Sequence, residues 1–216
     1  TKGGGKDQNV FLSTYMGGDG WRNGWMMYWR NADGGIYRAT WGETGGNICE
    51  PSLKAPEDGE WQHFLFVYSD KGLPGSPELR AKLYVNGEVK TTEGSVGNRF
   101  YNSSNYANYN APMTAFGRYM RTSDNLFEEG FAGYMKKIRI WKSAKDNEYV
   151  QNSYNGTAEV TGKEADLAAA WDFMTKPSGS GNEVIDLTGR HTAKIIGTYA
   201  VSYTHLRAHE TAANLV

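Results

Sequence analysis

Short runs of β-branched and aromatic residues recur along this chain, each cut off by Gly, Asn or Asp, and this pattern restricts its fold more than any other feature. The clearest instance is Leu79 to Val85, which alternates so that Leu79, Ala81, Leu83 and Val85 are expected to face one way. Asn86-Gly87 follows, and Glu88 to Thr92 returns. Asn-Gly accepts the positive φ angles of a type I′ turn, so this stretch predicts a two-residue hairpin. Trp61 to Ser69 reads as a strand with Phe64, Phe66 and Tyr68 on one face and His63, Leu65 and Val67 on the other. Further strands are expected at Val10 to Met16, Trp25 to Arg30, Gly35 to Trp41, Met113 to Arg118, Phe131 to Trp141, Leu167 to Met174 and Ala193 to Tyr199. Asn31-Ala32-Asp33-Gly34 would join the second and third of these through a turn. Only Ser143 to Asn152 favours helix, with Ser143 as the expected cap and Gly156 just beyond. Many short strands with so little helix imply an all-β fold of two packed antiparallel sheets.

Composition narrows the function classes. The 216 residues carry a net charge of −1, so no basic surface calls for nucleic acid or an anionic membrane. No apolar run reaches the length of a membrane span. Cys49 is the single cysteine, which excludes a disulfide framework, a redox pair and a thiolate zinc site; it reads as a small apolar residue near a strand end. The chain opens on Thr1, as a fragment would.

Residues 201–216 differ in character from the rest. Val201 to Thr211 resembles the translation of one frame of a transposase sequencing adapter, and Asn214-Leu215-Val216 fits the adapter sequence beyond a variable index. The expectation is a domain over 1–200, truncated at both ends, and a non-native tail over 201–216 from an environmental reading frame. His205 and His209 then drop out as candidates for chemistry.

Four motifs now carry a resemblance. Trp61-Gln62-His63-Phe64, Leu83-Tyr84-Val85-Asn86-Gly87, Phe131 to Trp141, and Leu167 to Phe173 followed by Asp186-Leu187-Thr188-Gly189 occur in the order seen in laminin G-like domains. Together they span about Trp61 to Gly197. The resemblance implies a concanavalin A-like jelly roll: an antiparallel β-sandwich with one short helix after the Phe131 to Trp141 segment. It also resembles modules of surface proteins of Bacteroidota, which implies an extracellular or cell-surface setting.

Three functions compete under that resemblance: a noncatalytic carbohydrate-binding module, a protein-adhesion or spacer module, and a degenerate glycoside hydrolase. Glucanases of this superfamily place carboxylates on one strand face in an E-x-D-x-E or E-x-D-x-x-E pattern. Here Glu164-Ala165-Asp166 begins it, but Ala168 and Ala169 stand where the third carboxylate belongs, so a charged loop before a strand is expected. His63 lies inside a fold motif and reads as structural; His191 lies in a loop and reads as exposed. No metal-binding HExxH and no phosphate-cradling glycine loop occurs. The chain is thus expected not to be an enzyme.

The binding chemistry concentrates between Phe100 and Asn110. Tyr101, Asn102, Asn105, Tyr106, Asn108 and Tyr109 combine rings with neutral amides and no charge, and Trp21 adds an indole beside the Gly17-Gly18-Asp19-Gly20 turn. Rings stack on the apolar faces of sugars, while amides pair with hydroxyls. The expected partner is a glycan or polysaccharide, with protein ligands as the alternative. Calcium is implied for some laminin G-like domains through rim Asp or Asn and carbonyl oxygens. Asp19, Asp70 and Asp124 lie in loops but in no ligand-spaced run, so they read as turn residues.

Overall fold

A computed structural model of the chain describes residues 8–13, 24–30, 36–42, 48–49, 52–54, 60–69, 71–93, 114–115, 118–119, 127–128, 134–173 and 183–194. These fall in two compact units: residues 1–133 with 144–158, and residues 134–143 with 159–216.

The first unit holds two main sheets. In one, β1 (Gln8–Ser13) pairs with β2 (Gly24–Arg30), and β2 pairs with β3 (Ile36–Gly42). β3 also pairs with β4 (Ile48–Cys49) and β5 (Ser52–Lys54). Only after the second sheet, in chain order, comes β9 (Thr114–Ala115), which completes the first sheet on the far side of β1. The second sheet is a meander of β6 (Phe64–Tyr68), β7 (Ala81–Val85) and β8 (Glu88–Glu93). A further ribbon pairs β10 (Arg118–Tyr119) with β11 (Phe127–Glu128). All these pairings are antiparallel, as expected.

β1 is buried along its whole described length from Asn9 to Ser13. The register with β2 shifts between Val10 and Leu12, and the ring of Phe11 lies 5.5 Å from that of Phe64 on β6. Met27 of β2 packs with Phe66 and Tyr68 against Ala81. The two sheets therefore meet through the face of β6 that alternation assigned to Phe64, Phe66 and Tyr68.

The opposite face of the meander is also covered. All five residues of β7 are buried, because a helix, α1 (Asn147–Tyr154), lies on its far side. Val150 of α1 is fully buried and clusters with Val67, Leu73 and Tyr84, joined by Leu65, Leu79 and Ala144. Two expectations change here. Leu79 does not share a face with Ala81, because regular strand begins only at Ala81 and the preceding turn swings Leu79 to the helix side. The helix begins at Asn147 rather than at Ser143. Asp146 caps it, and its carboxylate accepts a hydrogen bond from the Tyr149 amide at 2.9 Å. Ser143 instead donates its hydroxyl to Asp166.

The second unit contains β12 (Lys137–Trp141) paired with β13 (Leu167–Asp172), and β14 (Glu183–Ile185) paired with β15 (Thr192–Lys194). Ile138, Leu167, Ala169, Ala170, Trp171 and Val184 are buried. Trp171 lies in this core, 6% exposed. Two strands are shorter than the sequence runs that announced them: Tyr134 to Lys136 lie outside β12, and Trp61 to His63 lie outside β6.

Candidate functional site

The residues expected to hold a ligand, Trp21, Tyr101, Asn102, Asn105, Tyr106, Asn108 and Tyr109, all lie outside the described residues. So do Asp19, Asp70 and Asp124, the calcium candidates. Among the described residues no group of three or more His, Cys, Asp or Glu side chains could hold a metal. No described helix is long and apolar enough to cross a membrane.

The described polar chemistry gathers at two turns. The first is Asn86-Gly87 between β7 and β8. Both residues have positive φ, 53° and 79°, as a type I′ turn requires. The Asn86 amide oxygen accepts from the His63 backbone N–H at 2.9 Å, and its amide nitrogen donates to Gln62 Oε1 at 2.8 Å. The Asn86 backbone N–H donates to the His63 carbonyl at 2.9 Å. Helix α1 closes on the same turn. The Tyr84 hydroxyl donates to Asn147 Oδ1 at 2.7 Å, Gln151 Nε2 donates to the Gly87 carbonyl, and His63 Nε2 lies 3.0 Å from Ser153 Oγ. A Cβ on Gly87 would lie 2.9 Å from Tyr154 Cδ1, so the helix approaches this closely only because the residue is glycine.

These contacts give the Trp-x-His and Tyr-x-Asn-Gly motifs a structural cause: their polar members fasten a helix to a hairpin. Burial lowers the His63 pKa below its ordinary 6.5, so the ring is neutral at neutral pH. Burial, and secondarily the Asp146 carboxylate, raise that of Tyr84.

The second turn is Asp186 to His191, joining β14 to β15. Asp186 is 3% exposed. Its carboxylate accepts from the His191 N–H at 2.9 Å, from the Thr188 N–H at 3.3 Å and from the Thr188 hydroxyl. Burial alone would raise its pKa; the hydrogen bonds outweigh burial and the pKa falls. His191 is exposed, as expected.

Glu164 and Asp166 behave as loop residues. Glu164 accepts from the Thr161 N–H at 2.7 Å, the Thr161 hydroxyl at 2.9 Å and the Gly162 N–H at 3.0 Å. These bonds, that from the Thr161 backbone foremost, pull its pKa down to about 2. A carboxylate so occupied is poorly suited to protonate a leaving group near neutral pH. A Cβ on Gly162, whose φ is +88°, would collide with the Leu187 carbonyl, which makes glycine obligatory in this loop.

Residue type did not reveal three exposed aromatics among the described residues, Trp61, Tyr134 and Tyr154. Trp61 is 44% exposed although it opens a fold motif, and Tyr154, the last residue of α1, is 47% exposed. The Tyr154 ring centroid lies 6.1 Å from that of His63, tilted by 51°.

A laminin G-type family model, described as Concanavalin A-like lectin/glucanases superfamily, matches residues 2–151, well over half of the chain. The chain belongs to this superfamily, whose fold is a β-sandwich jelly roll. It is also similar to a solved structure from Bacteroides ovatus, described as a "putative carbohydrate binding protein", with 18% sequence identity and a TM-score of 0.58. That likeness covers 91% of this chain and 52% of the other, so the chain spans about half the length of that protein. No curated protein matches the chain.

Proposed function

We propose that this chain is a noncatalytic carbohydrate-binding module of a secreted or cell-surface bacterial protein. The observation that carries the reading is membership of a superfamily of lectins and glucanases in a chain whose Glu164 spends both carboxylate oxygens on its own loop. The shared fold with a Bacteroides protein described as carbohydrate binding adds support. The ligand is a glycan or polysaccharide, contacted by Tyr101, Asn102, Asn105, Tyr106, Asn108 and Tyr109, with help from Trp21.

Stacking contributes about 1 kcal/mol per ring, and each hydrogen bond roughly 0.5–1.5 kcal/mol net. A few such contacts give dissociation constants on the order of micromolar to millimolar. Affinity electrophoresis in a β-1,3-glucan, a β-1,4-xylan and an α-1,4-glucan tests the reading. Retardation of the unmodified chain is expected in at least one gel, weakened at least tenfold by the double substitution Tyr106→Ala and Tyr109→Ala with little change in Tm. Full affinity in the double variant removes these rings from the site; collapse of its fold assigns them to the core instead.

Residues 201–216 form no part of the module in this proposal. Deleting them should leave Tm unchanged in a thermal melt, and a clear drop would make them a genuine structural element.

A further inference from the structure

We propose that Trp61 and Tyr154 form a second sugar-stacking strip, with the Gln62 and Gln151 amides beside it, for the flat C–H face of a neutral polysaccharide. The inference rests on the carbohydrate-binding reading but uses different residues. Trp61 and Tyr154 both neighbour His63, one by chain and the other by its ring contact at 6.1 Å. Each leaves nearly half of its surface to water. The hairpin–helix junction takes up the polar groups of Gln62, His63 and Gln151, while Trp61 stays 44% and Tyr154 47% exposed.

Three features suit the strip to saccharide. The Tyr154 ring is held against the Gly87 turn and the His63 ring, so stacking on it costs little further ordering. Each glutamine keeps one half of its amide for a hydroxyl. Gln62 accepts through Oε1 and Gln151 donates through Nε2, while Gln62 Nε2 and Gln151 Oε1 have no partner among the described residues. The strip is also neutral. Burial keeps His63 uncharged, and Glu88 next to the turn is paired with Lys90 at 2.5 Å. Glu60 is the remaining carboxylate adjacent in sequence, and a carboxylate can accept from a sugar hydroxyl.

The test uses the whole chain on the same three polysaccharides. Trp61→Ala and Tyr154→Ala should each weaken retardation about three- to tenfold, and Trp61→Phe and Tyr154→Phe should hold it within about twofold, because the ring face is retained. Trp61→Leu and Tyr154→Leu preserve apolar volume without a π face. They should bind as weakly as the alanine variants while melting with the unmodified chain, so the test survives even if an alanine variant unfolds. Leucine variants with full affinity overturn the strip, even where Tyr106→Ala with Tyr109→Ala abolishes binding and the broader reading stands. No retardation of the unmodified chain on any of the three polysaccharides overturns both.

Discussion

The Asn86 turn and the Asp186 turn solve one problem with opposite chemistry. Each must satisfy backbone groups where a hairpin reverses. At Asn86 a neutral amide donates and accepts at once, tying the turn to Gln62 and His63. At Asp186 a buried carboxylate accepts from three donors and gives none back. Charge-assisted bonds are the stronger kind, but a buried carboxylate is tolerable only while all its donors are in place. The amide turn depends instead on shape: two positive φ angles and the missing Cβ of Gly87. One turn is thus held by charge, the other by backbone geometry.

The largest effect should follow from Asp186→Ala. Three donors lose their acceptor in a buried site, which costs about 3 kcal/mol, readable as a lowered midpoint in urea. Asn86→Ala should cost less, about 2 kcal/mol, from two lost side-chain bonds and an alanine held at positive φ. Equal losses would erase the distinction between the two turns.

A smaller effect separates them by pH. Asp186 and His63 both have lowered pKa values in the fold, so in each case the unfolded chain binds more protons within the window and stability rises with pH. For His63 the contribution is complete above 6.5, its ordinary value, and is lost as pH falls through the folded pKa. For Asp186 it is complete above 3.8 and is lost at lower pH. Urea midpoints measured from pH 8 to pH 3 should therefore show two separate declines, the lower one shared by Asp186 and Glu164, whose pKa values both fall in the fold. His63→Gln should flatten the upper one and leave the lower; loss of the lower decline in that variant would contradict the assignment.

Much of the meander was readable because its signals are local and redundant. Asn86-Gly87 allows few backbones, and alternation from Phe64 to Tyr68 assigns the faces that Phe11 and Val150 go on to cover. Signals failed where they were too short or degenerate. Ile48–Cys49, Ser52–Lys54, Phe127–Glu128 and Glu183–Ile185 are two or three residues long and show no period. Ser143 and Asp146 are both good caps, and only the start of α1 at Asn147 decides between them. Ligand candidates were read from composition, which names rings and amides but gives no positions. Trp61 and Tyr154 escaped that reading because the exposure of a ring depends on what the rest of the fold covers.

Helix α1 also has a consequence in time. Its polar contacts join residues far apart in the chain, with separations of 63, 64 and 90 positions. The β6–β7–β8 meander needs only neighbours and can zip from its own tight turn within microseconds. Until the helix has been synthesised and its long loop closed, Val67, Leu73 and Tyr84 face water on one side of a finished sheet. The slow arrival of one short helix therefore sets how long a nascent chain presents a sticky surface to its neighbours. Speeding that arrival would shorten the exposure without altering any contact of the finished fold.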